Sequence, residues 1–490
     1  MHRLKLALIP LDNRAITYAY AKTLAKLADV ELFMPDRNSL GGLTDLAKVD
    51  EILNWLQSVI NNVDHSIICL DTILYGGLIN SRRHNFDYAH LILRLTNLMQ
   101  LTKNKSFFAQ SSIMRISDNY DNTEEKPYWQ EYGRELFLWS KLLYEASNER
   151  LSQEGNTQLN ELEKNIPSDI KQDYLTTRLT NHMINEQLID YVASGQINTL
   201  IYGIDDCTNI GMNTLETKII QDKLSKHKLR HKVFIYPGCD EIANLLMAKV
   251  IFDNLGQMRP FLNINFALDS GQNIIGKYDG ASFAEIFKQQ LALFMNGESS
   301  TYPLNIVVHT AMQIQGDHII LDYKDKDNIV DTSLNVTATL NCLENTNYPI
   351  VLCDLAYANG ADPKLVEALL NNPKLIAKII GFSAWNTAGN SIGSALSQAI
   401  CYASGLQQSD QEAFALAVKE NLFIRLIDDY VWQAKIRPTL NGKKLLNQHE
   451  FLNNLMAADL NKVSEILKFD PQHLNLSLPW QRSFEIEVSC

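Results

Sequence analysis

The sequence predicts an α/β protein built mainly of parallel βα repeats. Short apolar runs followed by helical stretches recur through most of the 490 residues, which is typical of parallel sheets covered by helices. Polar clusters follow most of these runs, as is usual at the carboxyl ends of parallel strands. A content of 46% hydrophobic and 20% charged residues supplies the core of a globular chain. Such repeats form doubly wound sheets or, alternatively, a βα barrel.

The strands and helical regions follow from the same pattern. Ten segments are predicted to be strands: residues 4–9, 30–34, 66–70, 106–110, 199–203, 232–236, 262–266, 304–308, 350–353 and 376–382. Between residues 128 and 195 there is no strand candidate, and this charge-rich segment predicts a helical insertion. We therefore expect an α/β part over 1–127, the insertion over 128–195, a second α/β part over 196–406 and a mainly helical region over 407–490.

Composition excludes several functional classes. A net charge of −12 repels a phosphate backbone, so no nucleic-acid partner is expected. No apolar run approaches the roughly 18 residues that cross a bilayer, and the first apolar run is too short for a signal peptide. The seven cysteines include no Cys-x-x-Cys pair. We expect a cytoplasmic protein without a membrane partner, and a homo-oligomer is compatible with the sequence.

Polar side chains follow eight of the ten predicted strands. The residues in question are Asp12, Asn13 and Arg14; Asp71 and Tyr75; Arg115; Asp205 and Asp206; Asp240 and Glu241; His309; Asp354 and Asn359; and Trp385, Asn386 and Asn390. Because ligands bind at the carboxyl ends of parallel strands, these groups are predicted to border one cleft. The alternative is local: Asp240, Asn386 and Asn390 would cap helices, and Asp12 would fold a turn.

A second polar group lies on the predicted helix 175–191. Arg178, Asn181, His182 and Asn185 recur at i, i+3, i+4 and i+7, so they share one helix face. A solvated face is the alternative, but such faces usually carry Lys and Glu. Arg, Asn and His in a row are better suited to a polyhydroxylated or anionic ligand. We expect this stripe to face the same cleft as a wall or lid.

Together the polar motifs resemble a known bacterial family, catalogued as domain of unknown function 4127. The resemblance covers most of the chain. It is carried by Pro10-Leu11-Asp12-Asn13-Arg14, Asp71-Thr72-Ile73-Leu74-Tyr75-Gly76-Gly77-Leu78 with Ser81-Arg82, Arg178 with Asn181-His182 and Asn185, Gly203 with Asp205-Asp206, Pro237-Gly238 with Asp240-Glu241, Asp354 with Asn359-Gly360-Ala361-Asp362, and Trp385-Asn386-Thr387-Ala388-Gly389-Asn390. The genes of family members look like neighbours of genes for amino sugars and cell-wall sugars. The resemblance therefore implies an amino-sugar substrate.

The leading functional hypothesis is a carbohydrate-active hydrolase, a glycosidase acting on an amino-sugar-containing substrate. Glycoside cleavage needs two carboxyl groups in different environments. Asp205, Asp206, Asp240 and Glu241 are the candidate catalytic residues. The candidate substrate-binding residues are Asp12, Asn13, Arg14, Asp71, Tyr75, Arg115, Arg178, Asn181, His182, Asn185, Asp354, Asn359, Trp385, Asn386 and Asn390, with Tyr75 and Trp385 stacking on a sugar ring. No cofactor is required by this hypothesis.

Two alternatives stay open. In the first, Asp12, Asp71, Asp205, Asp206, Asp354 and His309 hold Mg²⁺ or Mn²⁺ in a metal-dependent hydrolase, since hard oxygen ligands favour these ions. In the second, the protein binds a sugar without turning it over, because concave α/β sites also serve binding alone.

Overall fold

The computed structural model describes residues 3–206, 210–295, 302–319, 329–440 and 448–490. The strands are β1 (Lys5–Ile9), β2 (Glu31–Phe33), β3 (His65–Cys69), β4 (Phe107–Ile113), β5 (Ile197–Ile204), β6 (Val233–Pro237), β7 (Phe261–Phe266), β8 (Pro303–His309), β9 (Gly316–Asp317), β10 (Ile350–Asp354), β11 (Tyr357–Ala358), β12 (Ile379–Ser383), β13 (Asn475–Ser477) and β14 (Glu487–Ser489). All ten predicted strands are present. The unpredicted strands are β9, β11, β13 and β14, each only two or three residues long.

Helices alternate with these strands. They are α1 (Tyr20–Ala28), α2 (Val49–Val59), α3 (Leu70–Leu74), α4 (Leu78–Arg83), α5 (Tyr88–Leu101), α6 (Trp129–Ser147), α7 (Gln153–Asn165), α8 (Ser168–Ala193), α9 (Met212–His227), α10 (Ile242–Asn254), α11 (Phe283–Leu291), α12 (Ser333–Asn345), α13 (Pro363–Leu370), α14 (Pro373–Ile376), α15 (Ala388–Gly405), α16 (Gln411–Arg425) and α17 (His449–Leu467). Two π-helical segments, Ala15–Ala19 and Leu426–Ile436, adjoin α1 and α16. Within the described ranges no helix is long and apolar enough to cross a membrane.

Two open sheets confirm the α/β class. The larger sheet has the strand order β2-β1-β3-β4-β5-β6, and the smaller has the order β12-β10-β8-β7. Pairing is parallel from β1 through β6 and throughout the smaller sheet. Both orders end in edge strands, so the described residues form open sheets and no barrel. In the larger sheet the order reverses between β1 and β3, which is the topological switch point where ligands bind in such folds.

The chain divides into two compact units, which are described separately below. Unit 1 comprises Met1–Lys5, Arg14–Leu32 and Asp240–Cys490, and unit 2 comprises Leu6–Asn13 and Phe33–Cys239. The predicted insertion 128–195 carries α6, α7 and α8 within unit 2. The predicted C-terminal region 407–490 carries α16 and α17 within unit 1.

Apolar packing holds the four-stranded sheet of unit 1 and several of its helices together. One apolar cluster joins side chains of β10 and β12, such as Leu352 and Phe382, to Trp432 of the π-helical segment Leu426–Ile436 and Leu452 of α17. These side chains are at most 1% exposed. Their removal from water supplies the main favourable term for this packing.

Candidate functional site

In unit 2, the loop after β1 is fixed by hydrogen bonds to its backbone. The Thr72 hydroxyl lies 2.7 Å from the carbonyl oxygen of Pro10 and 2.8 Å from that of Leu11. The Arg37 side chain donates to the carbonyl of Asn13 at 2.8 Å. Asp12 is consequently held in a buried position at the switch point, with 1% of its surface exposed.

Asp71 lies on the other side of the switch point, in the first turn of α3 directly after β3. Its side chain is fully buried and accepts a hydrogen bond from the Ser112 hydroxyl through Oδ1. Oδ2 has no hydrogen-bond partner among the described residues. Burial raises the pKa of Asp71 to about 6, the Ser112 hydrogen bond opposes this rise, and the charge of Asp205 adds to it. This carboxyl therefore titrates close to neutral pH.

Asp205 and Asp206 follow β5 and have different environments. Asp205 is buried and forms an ion pair with Arg82. Asp206 keeps 37% of its side chain exposed and accepts from Arg115 at 2.7 Å. Desolvation by the surrounding protein raises the pKa of Asp206 to about 6, Arg115 opposes this, and the neighbouring Asp205 adds to it. Two adjacent carboxyl groups thus differ in exposure and in the arginine that each one contacts.

Two further carboxylates complete this arrangement. Glu124 accepts from Arg82 and from Arg115, both at 3.0 Å, and Glu125 accepts from Arg115 at 2.9 Å. We call these six residues the Arg82–Arg115 cluster: Arg82, Arg115, Glu124, Glu125, Asp205 and Asp206. Sequence reasoning did not select Arg82, Glu124 or Glu125 as site residues. Arg82 was visible only as part of the Ser81-Arg82 motif, and the glutamates lie far from any predicted strand end.

Asp206 also has an unusual backbone conformation. Its φ angle is +25°, in the left-handed region that costs energy for a residue with a side chain. Such strain concentrates at functional sites, because the surrounding structure must hold it in place. The strained backbone of Asp206 therefore coincides with a carboxyl group that is partly exposed.

Tyr75 is engaged inside unit 2 rather than at its surface. It is 2% exposed, and its ring stacks on that of His84 with centroids 4.9 Å apart. The next residue, Gly76, packs closely against the backbone of Gly41: a Cβ added at Gly41 would lie 1.9 Å from the carbonyl oxygen of Gly76. The ring of Tyr75 therefore has no open face in this structure on which a sugar could stack, as the sequence had led us to expect.

The polar stripe on α8 is largely used within the protein. Arg178 forms two hydrogen bonds to Glu216, at 2.9 and 2.7 Å, and donates to the carbonyls of Met114 and Arg115. Asn181 donates to the carbonyl of Ser81 at 2.8 Å, and its Oδ1 lies 2.8 Å from His84 Nε2. These bonds fasten α8 to its neighbours.

The remaining members of the stripe differ from each other. Asn185 accepts from the Ser111 hydroxyl at 2.8 Å and donates to the carbonyl of Ser112 at 3.0 Å, which fastens α8 to β4. His182 keeps an imidazole nitrogen, Nδ1, that is buried without a hydrogen-bond partner among the described residues. The expectation of a ligand-binding face thus reduces to His182, because the other three side chains already have protein partners.

In unit 1, Arg14 and Asp240 form a buried ion pair. Asn386, which follows β12, donates to the second carboxylate oxygen of Asp240 at 3.4 Å. The guanidinium of Arg14 also lies 5.0 Å from the ring centre of Trp480. Asp240 therefore does not cap α10; the residue before that helix is Glu241, whose side chain makes no capping hydrogen bond.

Glu241 is a buried acid. It is 3% exposed, its Oε2 accepts from Asn244 at 3.0 Å, and its Oε1 has no hydrogen-bond partner among the described residues. Burial raises the pKa of Glu241 to about 8, although Arg425 and the hydrogen bond from Asn244 oppose the rise. This carboxyl holds its proton at neutral pH.

The strand-end residues of the smaller sheet make mainly structural contacts. Asp354 accepts from the backbone amides of Ala356 and Asp362 at 3.1 and 2.6 Å. The side-chain amide of Asn359 donates to Asp317 at 3.0 Å, and its backbone N–H donates to the carbonyl of Asn386 at 2.7 Å. These bonds tie the loops after β10 and β12 together.

The loop between β12 and α15 is also closely packed. Trp385 is 1% exposed and meets the ring of Phe484 edge to face, so neither of its faces is open for a sugar. Thr387, and neither Asn386 nor Asn390, caps α15 through its side chain. Asp279 adds a second cap, accepting from the amides of Ala388 and Gly389. Asn390 is buried in the first turn of that helix.

His309 has two protein partners. Its ring nitrogens lie 2.7 Å from the Thr339 hydroxyl and 3.0 Å from Asp362. Among the described residues, no group of three or more His, Cys, Asp or Glu side chains is arranged to hold a metal ion.

The predicted site residues fall into both units. Asp12, Asn13, Asp71, Tyr75, Arg115, the α8 stripe, Asp205 and Asp206 belong to unit 2, and Arg14, Asp240, Glu241, Asp354, Asn359, Trp385, Asn386 and Asn390 belong to unit 1. A single cleft bordered by all of them stays a prediction. Within unit 2, Asp71 and the Arg82–Arg115 cluster form the candidate site that we develop further.

Comparison with known proteins identifies the family. No curated protein and no solved structure gives a significant match to the chain. A family model described as "Protein of unknown function (DUF4127)" matches residues 6–489, nearly the whole chain. The resemblance inferred from the polar motifs is thereby confirmed, and the chain belongs to the DUF4127 family of proteins of unknown function.

Proposed function

We propose that the protein is a carbohydrate-active hydrolase, a glycosidase whose acid and partner carboxylate are Asp206 and Asp205. One observation carries the proposal: the two adjacent carboxyl groups after β5 have different environments. Asp206 is partly exposed with its pKa raised to about 6, and Asp205 is buried against Arg82. Glycosidases need this difference, because one carboxyl must donate a proton while the other remains charged.

The proposed step divides the work between these two groups. Protonated Asp206 donates its proton to the glycosidic oxygen as the bond from that oxygen to the anomeric carbon breaks. The carboxylate of Asp205 supplies negative charge next to the positive charge that develops on the sugar ring. Water then adds to the anomeric carbon, and its second proton returns to Asp206. Arg115 holds Asp206 in position through their hydrogen bond of 2.7 Å.

The charge of the Arg82–Arg115 cluster supports an amino-sugar substrate. The cluster contains four carboxyl groups and two guanidinium groups, so with Asp206 protonated the negative groups exceed the positive ones by one. Such a site attracts a cationic ligand, admits a neutral one and repels an anionic one. It therefore favours a sugar with an amino or acetamido group over a uronic or sialic acid. The family resemblance implies the same substrate class.

A chromogenic screen tests this proposal. The p-nitrophenyl glycosides of glucosamine, N-acetylglucosamine and glucuronic acid are compared at pH 5.5, with the unmodified protein and Asp206→Asn. We expect hydrolysis of an amino-sugar glycoside but none of the glucuronide. On the methyl glycoside of the same sugar, whose leaving group needs a proton, Asp206→Asn should lose at least about a hundredfold in kcat/KM. Asp118→Asn, at an exposed position of the same unit, is the matched control and should keep full activity.

The same screen separates the alternatives. Activity that disappears with a chelator and returns with Mg²⁺ or Mn²⁺ would favour the metal-dependent hydrolase. Stabilisation by a sugar without turnover would favour a sugar-binding protein. Full activity of Asp206→Asn on the methyl glycoside would exclude Asp206 as the general acid.

A further inference from the structure

Unit 2 contains a pocket that the proposed hydrolase site does not use. It lies between α6, α8 and α9 and has a volume of about 590 Å³. This volume falls within the range of roughly 300 to 1,000 Å³ that is usual for small-molecule sites. Its apolar lining is formed by Leu143, Leu175, Leu179, Met212, Leu215 and Ile219.

Two of these side chains are unusually exposed for a folded protein. Leu179 on α8 is 59% exposed and Ile219 on α9 is 40% exposed, and both line the pocket. A single exposed leucine needs no explanation, but apolar side chains that converge on one concave surface are typical of a binding site.

The polar groups of the pocket show what a ligand would meet there. Arg178 and Glu216 also line it, but their side chains form two hydrogen bonds with each other and are satisfied without a ligand. His182 is different: its side chain is 11% exposed, and Nδ1 is buried without a hydrogen-bond partner among the described residues. Its other nitrogen lies 3.8 Å from Glu186, beyond hydrogen-bonding distance. Because Nδ1 is buried, a polar group of a ligand would bind the exposed edge of the imidazole, where a partner offsets the loss of water.

We propose that this pocket binds a small amphiphilic molecule, with an apolar body among the leucines and one hydroxyl or amino group on the exposed edge of the His182 imidazole. The apolar lining excludes a free sugar or a phosphate, since neither could satisfy its polar groups there. Tyr144, Gln172 and Thr176 also line the pocket, so the ligand meets a few further polar side chains there. This binding site is independent of the proposed hydrolysis and would exist in a protein that lacks that activity.

Titration with 1-naphthol tests the site, using the ligand's fluorescence and the full-length protein. We expect saturable binding with one molecule per chain, and weaker binding of 1-methylnaphthalene, which has the same shape but no hydroxyl. His182→Phe should remove the preference for 1-naphthol over 1-methylnaphthalene, because the ring remains and the hydrogen-bonding nitrogen is lost.

Rim substitutions on separate helices keep the test independent of any one variant's folding. Leu179→Glu and Ile219→Glu should each weaken 1-naphthol binding at least about tenfold, because a ligand would then bury a charge. Leu93→Glu is the control, since Leu93 is 60% exposed on α5 and does not line the pocket. The absence of saturable binding, or equal binding in the rim variants and the control, would overturn the proposal. It would also be overturned by a dimer in solution that Ile219→Glu dissociates, because a second copy of the chain would then cover the pocket.

Discussion

Replacing Glu241 with glutamine should change how the stability of unit 1 depends on pH. In the native chain this carboxyl is 3% exposed, with one oxygen bonded to Asn244 and the other without a partner among the described residues. Glutamine keeps the shape of the side chain but carries no charge at any pH. The difference between the two proteins therefore isolates the cost of ionising a buried acid.

The magnitude follows from the two pKa values. The pKa of Glu241 is raised from 4.5 to about 8 in the folded protein. Between these values the folded state holds the proton and the unfolded state has lost it, so stability falls as pH rises. Each pH unit in this range is worth about 1.4 kcal/mol. The stabilisation is complete below about pH 4.5 and is lost by about pH 8, a total of about 5 kcal/mol.

Urea unfolding followed by circular dichroism measures this effect. At pH 5.5, 6.5 and 7.5, the free energy of unfolding of the native protein minus that of Glu241→Gln should fall by about 3 kcal/mol across the series. A constant offset from the substitution itself does not affect this slope. Glu465→Gln, at an exposed position of α17, should give a flat difference. A flat difference for Glu241→Gln as well would refute the reasoning, since the carboxyl would then ionise alike in both states.

Three further outcomes are expected. Arg115→Gln removes the charge that lowers the pKa of Asp206, so the alkaline limb of the pH profile of kcat/KM should move up by about one pH unit. If the limb does not move, the ionisation of Asp206 does not determine it. Asn181→Ala removes two buried hydrogen bonds and should cost about 3 kcal/mol in urea unfolding, and a loss below about 0.5 kcal/mol would contradict this role. Asp279→Ala uncaps α15 and should lower stability by about 1 to 2 kcal/mol, measured in the same way; an unchanged midpoint would show that Thr387 suffices.

The strands and their polar ends could be predicted because their signals are local. A run of apolar residues predicts a strand such as β3, and Asp71 follows that run directly. The segment 376–382 was predicted to begin too early, because its first residue belongs to α14, which Asn372 and Pro373 start. The strands β9 and β11 have two residues each, too few to show a period.

The role of single polar residues could not be predicted in the same way. The α8 stripe has the spacing of a ligand-binding face, yet Arg178, Asn181 and Asn185 are bonded to other parts of unit 2. Spacing places side chains on one face of a helix, but it contains no information about what packs against that face. Arg178 and His182 both line a pocket, and of these two only His182 has a side-chain nitrogen without a hydrogen-bond partner among the described residues.

The sequence by itself determined the α/β class, the ten strands of the two sheets and the family. These three features depend on short-range periodicity and on motifs of a few residues. Both are visible in the sequence without knowledge of which distant residues come into contact. Only the tertiary structure decided which charges meet. Arg82 and Asp205 are separated by 123 positions along the chain, and their pairing makes Asp205 differ from its neighbour Asp206. The protonation of Glu241 is decided likewise, because burial by distant side chains, rather than its own sequence neighbours, raises its pKa.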